Sequence, residues 1–152
     1  MKKTIFLFLL GFSFLSYGQK MNPINTKVTK LITDGWHQFE LNGATYDVKV
    51  LKHRFVRGNI KWLDGATYSG GLGSSGIHGK GTYTWPNGMR YEGSIKNNKK
   101  HGWGTLYLNN GTKFNGKWKE NRKHGKGKLF DAQGNVIKEG VWEEGKLIKE
   151  VK

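Results

Sequence analysis

Three histidines recur at a constant spacing of 23 residues, at His78, His101 and His124. Imidazole is a common metal ligand, so a metal site is the first chemistry to consider. If each period forms one β-hairpin, equivalent positions lie two strands apart, or roughly 9–10 Å. Zn–N bonds are only about 2.0–2.1 Å long, so two such imidazoles do not easily share one ion. We therefore expect these histidines to be structural and predict no metal site.

Catalytic patterns are not found in the sequence. There is no cysteine, no Gly-x-Ser-x-Gly motif and no glycine-rich phosphate loop followed by Lys-Ser or Lys-Thr. The densest group of acids is Glu139, Glu143 and Glu144. A hydrolase that uses two carboxylates needs them about 5–9.5 Å apart in a cleft, and an open sheet offers none. The sequence predicts neither an enzyme nor a cofactor.

Positive charge is the strongest compositional signal. Lys and Arg number 26 against 11 Asp and Glu, for a formal net charge of +15. Two basic pairs fall at equivalent positions that we predict to be hairpin loops; this basic edge comprises Lys99, Lys100, Arg122 and Lys123. Such a stripe suits an anionic lipid head group or an anionic polymer. The alternative is that these residues only supply solubility and protect the sheet edge.

The elements that position these residues are set by an internal repeat. Gly58, Gly81, Gly104 and Gly127 share the 23-residue spacing. Residues 91–96 and 104–108 alternate as strands do, so each unit is interpreted as a β-hairpin whose polar loop covers residues 97–102. Asn110-Gly111 connects one unit to the next, and this dipeptide tolerates positive φ at both central turn positions. We prefer this turn role to glycosylation of the sequon at Asn110.

Strand alternation separates two faces of the predicted sheet. The aromatic face carries Ile60, Trp62, Tyr68, Leu72, Tyr83, Trp85, Tyr91, Ile95, Leu106, Leu108, Phe114, Trp118, Leu129 and Trp142. The polar face carries Asn59, Lys61, Ser69, Thr82, Thr84, Glu92, Ser94, Lys96, Thr105, Tyr107, Asn115, Lys117, Lys119 and Lys128. The rings either pack on one another along the sheet or, because a single layer has nothing to cover them, form a binding surface. For that surface we select Tyr68, Tyr83, Trp85, Tyr91, Phe114 and Trp118.

The pattern Tyr-x-Gly-x-[aromatic or aliphatic]-(x)5-His-Gly-x-Gly resembles the MORN (membrane occupation and recognition nexus) repeat, and residues 91–104 match it most completely. Residues 68–90 and 114–138 match well, with Phe114 in place of the usual tyrosine. The resemblance covers roughly residues 55–145. It implies an all-β fold: an elongated, single-layer antiparallel sheet of consecutive hairpins with a short N-terminal cap. It also implies scaffolding or membrane association.

The N-terminus has the three-part pattern of a secretory signal peptide. Lys2 and Lys3 precede an apolar run over residues 5–15, and Ser16 and Gly18 are the small residues before Gln19. We predict a signal peptide over 1–18, a linker or cap over 19–34, a degenerate first hairpin over 35–57 and the repeat array over 58–152. A secreted or periplasmic location, of bacterial type, follows from this interpretation.

The sequence thus leads to a secreted or periplasmic module that binds a protein or peptide partner. One alternative is a binder of an anionic membrane surface or polymer through the basic edge. Another is an accessory or inhibitor protein that docks on an enzyme through the aromatic face. Nucleic acid is the weakest partner, since rings and cations fall mostly on opposite faces and stacking needs them together. Sequence does not name the partner or the oligomeric state.

Overall fold

The strands of the protein follow one another as a continuous series of hairpins. The computed structural model describes residues 3–4, 32–74 and 76–151. The strands are β1 (Lys3–Thr4), β2 (Gly35–Leu41), β3 (Ala44–Leu51), β4 (Arg54–Lys61), β5 (Thr67–Gly73), β6 (Gly76–Thr84), β7 (Arg90–Lys96), β8 (Lys99–Tyr107), β9 (Lys113–Lys119), β10 (Arg122–Phe130), β11 (Val136–Glu143) and β12 (Lys146–Glu150).

Every strand is hydrogen-bonded to its neighbours in sequence, in the order β1 to β12. The pairs from β2 to β12 are antiparallel, and only the two residues of β1 pair in parallel with β2. The described residues form no helix, and therefore none that is long and apolar enough to cross a membrane. The predicted all-β, single-sheet architecture of consecutive antiparallel hairpins is confirmed.

The turns differ from the prediction in both type and position. Residues with positive φ in succession occur at Asn97–Asn98 and Glu120–Asn121, so these are the tight connections within the hairpins. At Asn110-Gly111 only the glycine has positive φ, while the Asn110 side chain accepts a hydrogen bond from Thr112 N at 3.1 Å. The predicted loop over 97–102 is wrong beyond residue 98, because β8 begins at Lys99.

The predicted first hairpin over 35–57 and the predicted array over 58–152 meet inside a strand. β2 begins at Gly35, but the proposed boundary between residues 57 and 58 falls inside β4, which pairs continuously with β5. The first units therefore join the array without a break in the sheet. The predicted signal peptide, apart from the backbone of β1, and residues 19–31 of the predicted cap lie outside the described residues.

A row of glycines crosses the sheet beneath the aromatic rings. The cross-strand pairs Gly81↔Gly93, Gly93↔Gly104 and Gly104↔Gly116 are consecutive members of this row. A Cβ on Gly104 would lie 2.5 Å from Cζ of Tyr91, and one on Gly116 would lie 2.8 Å from Cζ of Phe114. Glycine is required here because each ring occupies the volume in which a side chain would stand.

Candidate functional site

Most of the aromatic residues selected as a binding surface are core residues. The exposed fraction of the residue is 1% for Tyr68, 0% for Tyr91, 2% for Phe114 and 4% for Trp118. Tyr83 is also buried, and only Trp85 is half-buried. A buried ring presents no area to a partner in this conformation, so the expectation that these rings stand exposed on a single layer is wrong.

Edge-to-face ring contacts explain how a single layer buries its own aromatic face. The Trp118 ring lies 5.7 Å from that of Tyr91 and 5.4 Å from that of Phe114, at interplanar angles of 87° and 90°. Trp118 Nε1 donates a hydrogen bond to Gly104 O at 3.1 Å. Tyr91 Oη donates to Ser94 O at 2.8 Å, and burial raises the pKa of this phenol. The rings pack along the sheet and shield one another, which was the structural alternative in the sequence interpretation.

The predicted basic edge separates into two pairs with different surroundings. Lys99 forms an ion pair with Glu120, and Arg122 forms one with Glu144. Each pair joins the first residue of a strand to the turn of the next hairpin, so these cations tie consecutive units together. Both pairs are exposed and contribute little to stability. Contrary to the prediction, all four cations of the edge stand on strands β8 and β10, not in loops.

Lys100 and Lys123 instead lie over the aromatic face. The Lys100 Nζ atom is 4.8 Å from the centroid of the Trp118 ring and 5.4 Å from that of Trp85. Lys123 Nζ is 4.6 Å from the ring of Trp142 and 4.7 Å from that of Phe114. Burial lowers the pKa of both amines below their ordinary value. Lysine therefore completes the covering of the rings.

This role of lysine was detectable from the repeat, and the sequence analysis missed it. Strand pairing places five residues in one column of the sheet: Phe55, Ile77, Lys100, Lys123 and Leu147, opposite Val50, Leu72, Ile95, Trp118 and Trp142. Three of the five are apolar, which marks the column as facing the aromatic side. Two lysines in such a column are therefore partly withdrawn from water.

Replacing Lys100 with isoleucine, the residue at the equivalent position 77, is expected to stabilise the protein by about 1 kcal/mol at neutral pH. Burying an apolar side chain contributes about 1.5–3 kcal/mol, and the lost cation–π contacts are worth about 0.5–1 kcal/mol. The pKa of Lys100 in the folded state lies below its unfolded value of 10.5. At a pH between these two pKa values, the unfolded state therefore binds more protons than the folded state. The stability of the original protein should therefore rise with pH through that window.

The measurement is urea unfolding at several pH values up to about 10, above which unfolded tyrosines ionise and oppose the trend. The Ile variant should lose part of the pH slope, leaving the share that comes from Lys123. A variant that is less stable at neutral pH, or that keeps the full slope, would contradict this assignment.

The polar face carries the exposed cations. Lys80, Trp103 and Lys126 occupy equivalent positions in successive units, roughly 9–10 Å apart across the sheet. Lys80, Lys126 and the neighbouring Lys117 are exposed, and Trp103 is 53% exposed. Within the described part of the chain, no carboxylate lies within ion-pair distance of these three lysines. We name Lys80, Trp103, Lys117 and Lys126 the basic row.

The argument against nucleic acid assumed that rings and cations lie mostly on opposite faces of the sheet. In the structure, both faces carry rings beside cations. On the polar face, Lys117 Nζ lies 5.9 Å from the Trp103 ring, and the Arg90 guanidinium lies 4.3 Å from the Tyr107 ring. On the aromatic face, Lys100 and Lys123 accompany the rings. That premise is wrong. The prediction that nucleic acid is the weakest candidate partner is left without its main support.

The repeated histidines lie on successive strands, β6, β8 and β10. Across residues 32–74 and 76–151, no group of three His, Cys, Asp or Glu side chains is arranged to hold a metal ion. The Nδ1 atoms of His101 and His124 are buried, and neither has a hydrogen-bond partner among the described residues.

The fold and the buried ring seam define a class: a repeat protein built as one open antiparallel sheet of β-hairpins. The MORN repeat matches residues 74–90, 91–113 and 114–136, consecutive segments that together span β6 to β10. Residues 74–136 thus consist of three consecutive MORN repeats. No curated protein matches the chain. MORN repeats generally mediate interactions with proteins or membranes.

Proposed function

We propose that this protein is a non-enzymatic, secreted or periplasmic interaction module that lies with its polar face against an anionic surface or polymer. The observation that carries the proposal is the basic row, where three exposed lysines have no acidic partner among the described residues. The proposed location rests on the N-terminal sequence pattern.

The distribution of charge supports the polar face as the contact surface. Cations at the unit connections are paired, Lys99 with Glu120 and Arg122 with Glu144, so their charge is partly neutralised within the protein. The lysines of the basic row keep their full charge toward solvent. A flat arrangement of such lysines attracts an anionic lipid surface at about 1 kcal/mol for each residue.

A protein or peptide partner, the first interpretation of the sequence, fits the aromatic face less well than expected. Five of the six rings selected there are buried among one another. A protein partner with an acidic surface would use the same basic row. The enzyme-docking alternative required exposed rings on the aromatic face, and burial of those rings removes its main support.

The test is sedimentation with vesicles of phosphatidylcholine that contain or lack phosphatidylglycerol, and retention on immobilised dextran sulfate. Changing Lys117 and Lys126 together to glutamine should weaken binding to both anionic materials about tenfold or more, since the two charges together contribute about 2 kcal/mol. Binding of the original protein should also fall steeply as NaCl rises from about 0.05 to 0.5 M, because salt screens exposed charges.

The matched control removes the same charge from the opposite face, by changing Lys100 and Lys123 together to glutamine. This variant should bind the anionic materials as the original protein does. Equal losses in the two double variants would show that net charge alone is responsible. Binding that resists salt would contradict a polar-face electrostatic contact.

A further inference from the structure

A cavity of about 340 Å³ opens on the aromatic face in the middle of the array. Its apolar wall includes Tyr83, Trp85 and Ile95, and its polar wall includes Lys100, Asn98 and Asn121. Ligand pockets commonly range from about 300 to 1,000 Å³, so the volume suits a small molecule. The cavity lies on the face opposite the basic row, and the proposed function does not use it.

Lys100 is the charged group of this cavity. Its Nζ atom lies among the rings of Trp118, Trp85 and Tyr91, at 4.8, 5.4 and 5.9 Å from their centroids. Among the described residues, no carboxylate lies within ion-pair distance of this ammonium. The nearest acidic partner on the neighbouring turn, Glu120, is engaged by Lys99. The cavity therefore holds one positive charge that the protein does not neutralise.

Lys100 and Lys123 are the two charged members of a column whose other positions hold Phe55, Ile77 and Leu147, so an apolar residue is compatible with the fold at this place. A partly buried ammonium is less favourable for folding than an apolar side chain of similar size. Of the two lysines, Lys100 lines this cavity, and an anion bound there would offset the cost of burying its charge.

The chemistry of the walls limits the ligand. A second cation is disfavoured, because Lys100 already occupies the ring faces and would repel it. A dianion is also disfavoured, because the single ammonium would neutralise only one of its two charges in a partly apolar site. The rings of Trp85 and Tyr83, 4.8 Å apart, form an apolar wall for an aromatic or aliphatic body. Asn121 Oδ1 accepts a hydrogen bond from Lys100 N at 2.8 Å, which leaves its Nδ2 group as a second donor.

We propose that this cavity binds a small monocarboxylate with an aromatic or short aliphatic body. The carboxylate pairs with Lys100 Nζ, and the body packs against Trp85 and Tyr83. The full chain is titrated by calorimetry with naphthalene-2-carboxylate, and separately with 2-naphthylmethanol and 2-naphthylmethylammonium. The carboxylate should bind at least about tenfold more tightly than either analogue, as expected for a charged hydrogen bond.

The deciding variant is Lys100→Ile, which should weaken carboxylate binding at least about tenfold without lowering the melting temperature. Its matched control is Lys119→Gln, which removes the same charge from an exposed position on the polar face and should leave binding unchanged. In NMR spectra of the original protein, the carboxylate should shift the indole N–H signals of Trp85 and Trp118 but not that of Trp103.

Several results would overturn the proposal: no binding of the carboxylate, equal binding of carboxylate and alcohol, or undiminished binding by Lys100→Ile. Equal weakening by Lys119→Gln, or a shift confined to Trp103, would also overturn it. None of these results bears on the vesicle and dextran sulfate experiments, because those depend on Lys117 and Lys126 on the opposite face.

Discussion

Changing Trp118 to alanine is expected to lower the free energy of unfolding by about 3–5 kcal/mol, the usual cost of truncating a large buried ring. Trp118 is 4% exposed, contacts the rings of Tyr91 and Phe114, and donates a hydrogen bond to Gly104 O. All of these interactions are lost in the variant, and the cavity left behind is not refilled by a second layer. Urea unfolding followed by circular dichroism measures the change.

Trp103→Ala is the control for this prediction. Trp103 lies on β8, the strand next to that of Trp118, but on the opposite face of the sheet, and it is 53% exposed. It should change stability by less than about 1 kcal/mol, as surface substitutions usually do. Similar losses in the two variants would mean that Trp118 is not a core residue. A stable Trp118→Ala variant would reopen the aromatic face as a binding surface.

Changing Gly104 to valine is expected to destabilise the protein by about 3 kcal/mol, at the upper end of the range for overpacking. The new Cβ would stand 2.5 Å from Cζ of Tyr91, whose hydroxyl is held by Ser94 O, so the ring has no room to move aside. The melting temperature should fall accordingly. The isosteric change Thr105→Val, one residue away on the polar face, serves as the control and should cost far less.

A double-mutant cycle identifies the clash that causes this loss. With Tyr91 changed to leucine, Gly104→Val should cost clearly less than in the original protein, because the ring that opposes the new side chain is gone. If Gly104→Val costs as much stability in the Tyr91→Leu variant as in the original protein, the strain lies in the backbone rather than at Tyr91.

The architecture was predictable because the sequence pattern that specifies it repeats every 23 residues. Residues 23 apart occupy equivalent positions, and alternation within strands such as Phe114 to Trp118 places their side chains on one face. The turns were less predictable, because Lys52 and Glu120 adopt positive φ although neither residue type favours it. Asn110 has the type expected of a tight turn, yet its side chain caps a longer one.

The binding surfaces were predictable only in part. Sequence separates the faces, but it does not show that edge-to-face packing lets Tyr91, Trp118 and Phe114 bury one another without a second layer. The positions of Lys99 and Lys100 depended on where β8 begins. Because the strand extends to the turn, adjacent lysines point to opposite faces, and one pairs with Glu120 while the other lies over rings.

The order of the strands has a consequence for how the molecule folds. From β2 to β12, hydrogen-bonded strands are neighbours in sequence joined by short turns, so forming this part of the sheet closes only short loops, whereas β1 pairs with β2 across a long connection. Proteins dominated by such local contacts have low contact order and fold faster than β-sandwiches of similar size. Growth of the sheet can begin at one hairpin and extend by adding the next, so unfolding from the ends needs to release only the terminal strand. Opening is therefore expected to begin at an outer strand of the described sheet, because such a strand is hydrogen-bonded to one neighbour and not to two.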